Sequence, residues 1–375
     1  MKNIKLLLII SGIIIFSHTL VYAQLSFQAA AVQEYNSNPF RSAEAESNFI
    51  SGYNLTLQYE MDNWGILYSG TKIMFSNSGD RNFYMQTAGI WKNFESSSFS
   101  FSTEQRINNE LYSYFDYYGV SADFSAQFSF SGIYVYLFPS IEYTSYKNIS
   151  ILDNIKTLFG FSLNKPFETG TALIAGGGIN YKIYTQPDIT DLFYTIDESD
   201  AETDTLVESK NASSITQLTA FARAAQSVTE TTGIAVQYTA KKIVNGIAAS
   251  VKEINLTYGD ESEMFDDPVN SEGNSILIEL TQILFDDMQV KLGYYNNRKT
   301  YPSQGIYDSA SNYYTGTDRK DTQNIYSASV EKVFELSGSI SLETAVKYHY
   351  INNSSNSYWF NYKEHSINFN VGITF

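Results

Sequence analysis

The chain has 375 residues, 30 Tyr, 25 Phe, only six Pro and no Cys, with a formal net charge of −16. Without cysteine there are no disulfides, no thiolate metal sites and no lipid-anchored N-terminal Cys. The acidic balance argues against nucleic acid as a partner.

The first element is a processing segment. Lys2 and Lys5 precede an apolar run from Leu6 to Phe16, and Val21-Tyr22-Ala23 comes next. A charged start, a short apolar stretch and a small residue before the cut are the features of a secretory signal, placed here at 1–23. Its removal takes two lysines and no acid, so the mature charge is 22 − 40 = −18. Residues 24–375 then form one domain. No later stretch approaches the ~20 apolar residues of a membrane helix.

Beyond residue 23 the dominant pattern is alternation. Val120, Ala122, Phe124, Ala126 and Phe128 alternate with Ser121, Asp123, Ser125 and Gln127. Ile340, Leu342, Thr344, Val346 and Tyr348 alternate with Ser341, Glu343, Ala345, Lys347 and His349. Period two is the mark of a strand with two unlike faces. Extending the search predicts about sixteen strands, near 24–36, 48–60, 65–76, 82–93, 97–108, 116–130, 132–147, 154–165, 170–186, 212–227, 233–244, 272–285, 288–299, 321–335, 339–351 and 359–375. The last ends on Ile367, Phe369, Val371, Ile373 and Phe375, each separated by a small or polar residue.

The connections alternate between short turns, such as Asp62-Asn63-Trp64 and Leu336-Ser337-Gly338, and longer loops, of which 187–211, 245–271 and 300–320 are very long. Short turns at one end and long loops at the other characterise transmembrane barrels. In this the chain resembles Gram-negative outer-membrane β-barrels of unassigned function. Two stretches carry the resemblance: the final strand ending on Phe375, and Glu34-Tyr35-Asn36-Ser37-Asn38-Pro39-Phe40 at the end of the first strand. The resemblance implies an all-β, transmembrane, antiparallel up-and-down barrel in outer-membrane lipid, with periplasmic termini and surface-exposed long loops. It also implies that Phe369, Val371, Ile373 and Phe375 are read by the outer-membrane insertion machinery. It names no substrate and no oligomeric state. A plugged transporter would need a domain before strand one, and a peptidoglycan-anchored barrel one after the last strand; neither is expected.

Sixteen strands leave an aqueous lumen, whereas eight are filled by side chains. The faces assigned by alternation put Glu104, Arg106, Asp123, Lys182, Arg223, Lys241, Glu279, Lys291, Glu343, Lys347, His349 and Glu364 on the pore wall, with Lys92 also inward. Lys347 and Glu364 are expected to face each other across the last hairpin. These charges either pair and solvate the wall or set a field that orients solutes. Asp188–Lys210 holds eight acids against one lysine, and Asp260–Glu272 six acids and no base. Such loops are either solvated and mobile, or a cation-attracting mouth, or bridged by divalent ions to anionic surface lipid. Tyr301, Tyr307, Tyr313 and Tyr314 in the third loop either pack it or line a constriction. No HExxH, phosphate loop or nucleophile elbow is present, so neither an enzyme nor a cofactor is expected. Passive, porin-like diffusion of small hydrophilic solutes is the first reading. A non-conducting surface barrel whose acidic loops bind a partner or ions is the alternative.

Overall fold

The computed structural model describes residues 23–148, 150–185, 192–195, 204–207, 214–246, 252–253, 268–285, 288–302, 304–310, 312–314, 316–337 and 340–375. Residues 1–22, in the stretch expected to be a signal, and most of both acidic loops lie outside the described residues.

Sixteen strands close into one barrel. They are β1 (Ala23–Asn36), β2 (Asn48–Met61), β3 (Trp64–Phe75), β4 (Phe83–Asn93), β5 (Ser97–Asn108), β6 (Tyr117–Phe130), β7 (Ile133–Tyr146) and β8 (Asn154–Pro166). The second half is β9 (Thr171–Tyr184), β10 (Ser214–Ser227), β11 (Thr232–Gly246), β12 (Glu272–Ile283), β13 (Gln289–Tyr301), β14 (Arg319–Ser337), β15 (Ile340–Ser355) and β16 (Tyr362–Thr374). Every strand pairs antiparallel with its sequence neighbour, and β16 returns to β1. The sixteen expected spans and their order are all present. Closure leaves no strand edge with unsatisfied N–H and C=O groups, which is what a bilayer requires.

The alternation now has a physical direction. Phe124, Phe128, Phe159, Phe161, Ile276, Ile278, Val346 and Phe369 point outward and are exposed. Where polar groups join this band they are paired. Gln33 Nε2 donates to Ser51 Oγ at 2.8 Å, and the Ser51 hydroxyl donates back to Gln33 Oε1 at 3.2 Å. On β13 to β16, Tyr294, Tyr326, Tyr350 and His365 form an outward aromatic row, with centroid separations of 5.1, 6.1 and 4.5 Å. Rings with one polar edge suit a membrane boundary.

Tight turns close one end. Ser131 (φ 50°) and Gly132 (φ 71°) form a two-residue turn between the paired Phe130 and Ile133. Two positive φ values match the strand twist, as hairpin turns require. At the other end the loops fold inward. There Phe40, Tyr112, Phe115, Leu152, Val269 and Trp359 are buried, together with many polar side chains. The short-turn end of the wall holds few buried residues. Two small sheets lie in the long connections: Leu192–Thr195, Asp204–Val207 and Lys252–Glu253 in one, Ile306–Tyr307 with Tyr313–Tyr314 in the other.

Candidate functional site: the barrel wall and its outer collar

Cross-strand partners share a face, so the register fixes which side chains look into the barrel. Arg106 opposes Tyr117, Glu104 opposes Gly119, and Ser100 opposes Asp123. Gln237 opposes Arg223, and Thr219 opposes Lys241. Ala235 opposes Glu279, Thr281 opposes Lys291, and Lys156 opposes Lys182. Glu343, Lys347, His349 and Glu364 lie on β15 and β16. The register thus puts all twelve residues singled out from the sequence on the inward face.

It does not put them in one cluster. Near the loop end they enter a buried polar collar. The Arg106 guanidinium lies 4.1 Å from the Phe83 centroid and donates to Asn108 Oδ1 at 3.1 Å. Asn108 in turn donates to the buried Asp116. Glu364 accepts from Asn36 at 2.9 Å and from Arg41 at 3.1 Å. This ties the stretch after β1 to β16 at the loop end of the seam. Arg319 and Asp321 form a buried ion pair, and the guanidinium lies 4.2 Å from the Tyr301 ring and 3.3 Å from Phe360. Neither residue of this pair was singled out from the sequence; charges at a strand's start read equally well as loop.

Below the collar the wall carries ion pairs with more solvent around them. Glu331 lies 3.5 Å from Lys291 and 3.4 Å from Lys347. Arg223 meets Glu279 at 2.8 Å, and Lys156 meets Glu142 at 2.8 Å. Glu343 faces Val333 and Gly372, and His349 faces Ser327 and Ser366, so these two stand apart. Around the circumference four bases fall on neighbouring strands, and acids on the flanking β7 and β12 pair with two of them. The inward faces of β8 to β11 carry Lys156, Lys182, Arg223 and Lys241 and no acid. Across the barrel, β16, β1 and β2 carry Glu364, Glu34 and Glu60.

Two expectations are corrected. Lys347 does not face Glu364: its partners are Ser329 and Asn368, and its ammonium goes to Glu331. Lys92 points outward, opposite Phe99 and Trp64, with its ammonium 5.4 Å from the Phe94 ring. A long stem at a membrane rim reaches water without turning inward. Glu272 begins β12, at the start of its expected span, and binds Lys242 at 2.8 Å. The other acids of that run, Asp260, Glu261, Glu263, Asp266 and Asp267, lie outside the described residues, as do Asp188, Asp191, Asp197, Glu198, Asp200, Glu202 and Glu208. Of the loop tyrosines, Tyr301 ends β13 fully buried, while Tyr307 is the strand partner of Tyr313. The Tyr314 phenol is pushed above its usual range by a hydrogen bond to Asp308 and by that carboxylate's charge.

Among the described residues no group of three or more His, Asp and Glu is placed to hold a metal ion.

No protein-family model matches the chain, and no curated protein is a significant match. Solved structures do match. The outer membrane protein OpdK of Pseudomonas aeruginosa is 7% identical with a TM-score of 0.52, covering 94% of this chain and 99% of that one. A second OpdK structure gives 7% identity and 0.51, covering 94% and 98%. Likeness at this identity establishes the fold alone, a closed β-barrel of the kind these outer membrane proteins have.

Proposed function

We propose that the chain is an outer-membrane channel for passive diffusion of small hydrophilic solutes. In this reading the short turns and both ends of the barrel face the periplasm, and the long acidic loops face outward. The observation that carries it is the closed sixteen-strand wall with ion pairs along its inward face, Glu331 between Lys291 and Lys347, Arg223 with Glu279 and Lys156 with Glu142. A barrel that only displayed loops would gain nothing from ionised groups along its interior. A water-filled passage with such walls orients polar solutes as they cross. The acidic loops at the mouth favour cations at low salt. The final strand, with Phe369, Val371, Ile373 and Phe375, is the element offered to the insertion machinery.

One observation favours the alternative of a non-conducting surface barrel whose acidic loops bind a partner or ions. The collar is packed, with Asn38, Gln217, Tyr301 and Ser357 each at most 1% exposed. Swelling of proteoliposomes in isosmotic sugar or amino-acid solutions separates the two. Swelling rates that fall with solute size support the channel. No swelling, from protein shown to be a folded barrel, supports the surface role.

A further inference from the structure

Where β11, β12 and β13 reach the loop end, the inner wall holds a recess of about 220 Å³. It begins at a missing side chain. Gly273 stands between Lys241 and Lys299 in one cross-strand row. Its φ is +147°, and a Cβ there would lie 1.9 Å from Arg298 O, so no side chain can take that place. One row deeper, Thr239, Ser275 and Asn297 are successive partners on the same inward face. Tyr295, two residues from Asn297 on β13, lines the recess with them, and so does Ser271 of the inward loop segment 268–271. Gln217, 1% exposed, donates to Ser271 O at 2.7 Å, which ties that segment to β10. The shape therefore does not depend on a guest.

The lining is polar and offers no free charge. Among the described residues no Leu, Ile, Val or Phe lines it. Its one acid, Glu272, is held by Lys242 at 2.8 Å. Lys241 and Lys299 each have a partner elsewhere in the chain. Arg298 belongs to the row that faces out of the barrel, opposite Asn274 and Thr322. What remains is neutral and unanswered. Ser275 is 8% exposed, and among the described residues its hydroxyl, the Asn297 amide and the Tyr295 phenol have no hydrogen-bond partner. The Thr239 hydroxyl accepts from Gln237 Nε2 at 3.2 Å and keeps its own proton to donate.

We infer that this recess binds a single neutral sugar or polyol ring, its hydroxyls meeting Thr239, Ser275 and Asn297 and its carbon face lying on the Tyr295 ring. A hydroxyl both donates and accepts, as do the serine, the amide and the phenol, so a guest made of hydroxyls can answer every one of them. Partners on adjacent strands stand ~5 Å apart, a spacing that hydroxyls around one six-membered ring can meet. An ion would shed water here without a counter-charge, and an apolar guest would strip water from Ser275 and Asn297 with nothing in return. The inference deepens the channel reading by naming a solute class. It rests on that reading for passage of the solute, though not for binding.

The test uses the full mature chain refolded in detergent micelles and saturation-transfer NMR on labelled glucose, with unlabelled glucose, glucuronate and cyclohexanol as competitors. Glucose is expected to bind saturably and to be displaced by itself. Glucuronate, which adds a carboxylate, and cyclohexanol, which keeps one hydroxyl, should displace it far more weakly. Asn297→Ala and Tyr295→Leu should each weaken glucose by about tenfold, the scale of lost hydrogen bonds or of a lost ring face. Asn296→Ala, its neighbour on the outward face, should not. Absence of saturable glucose binding to a chain shown to be folded overturns the inference. So does binding undiminished in both recess variants, or displacement by glucuronate or cyclohexanol as strong as by glucose. Competition on the unaltered chain decides the matter even if a variant fails to fold. A chain that conducts but does not bind glucose sinks this inference alone; one that binds but never conducts sinks the channel reading alone.

Discussion

Phe27 and Phe375 exchange backbone hydrogen bonds across the barrel seam, Phe375 N donating to Phe27 O at 2.9 Å and Phe27 N to Phe375 O at 3.3 Å, with ring centroids 5.8 Å apart. The last residue is thus part of the closure, and its ring covers that junction on the lipid side. Deleting Phe375 should leave two backbone groups of β1 unpaired at a membrane boundary, at about 1–3 kcal/mol each. The expected outcome is a lower folded fraction after refolding into lipid, read by heat-modifiable migration in gels. Phe375→Ala, which keeps the backbone pair, should lose less.

Arg319 and Asp321 are both deeply buried, so their pairing is an obligation rather than a surplus. Arg319→Met should strand the Asp321 carboxylate and cost about 3–5 kcal/mol. Replacing both, as Arg319→Met with Asp321→Leu, should recover much of it. Denaturant unfolding in detergent measures each loss.

Gly246 has φ +88°, and a Cβ there would lie 1.8 Å from Ser214 O. It sits where β10 and β11 shift register between Thr216 and Gln217. Gly246→Ala therefore meets both backbone strain and a backbone clash, and a loss of about 1–3 kcal/mol or more is expected. Gly316→Ala, where nothing lies within 4 Å, is the control and should be nearly neutral.

Tyr314 and Asp308 supply a pH prediction outside the membrane. The Asp308 carboxylate accepts the phenol's hydrogen bond and repels its ionised form, so Tyr314 should titrate above 10. By linkage, the contact is intact below the unfolded phenol's value and is lost as pH rises through the raised one. Asp308→Asn should bring the titration back down towards 10, tracked by NMR of a ring-labelled tyrosine. An unchanged midpoint would contradict the contact.

Much of the barrel was legible because two physical rules act on every strand at once: side chains alternate, and lipid takes the apolar set. Phe369 and Val371 could be assigned without knowing any neighbour. Partnership needs the stagger between strands, which no single segment encodes. Hence Lys347 and Glu364 are rightly inward but wrongly paired, with Asn368 standing where Glu364 was expected. Lys92 fails for a different reason, because at the rim the alternation no longer sorts polarity. Tertiary contacts of the wall were illegible for the same reason: the ring lying on Gly176 comes from Phe221, placed there by β9–β10 pairing.

Glu331 answers both Lys291 and Lys347. Glu331→Gln should leave two ammonium groups on one stretch of wall and move ion preference towards anions, by an amount that shrinks as salt rises. Reversal potentials in a salt gradient report it.

The most direct test of the channel itself is single-channel recording of the refolded mature chain in a planar bilayer. Stable ohmic steps with cation-preferring reversal at low salt are the predicted result. Silence from a verified folded barrel would contradict it and leave a surface barrel sealed at its collar.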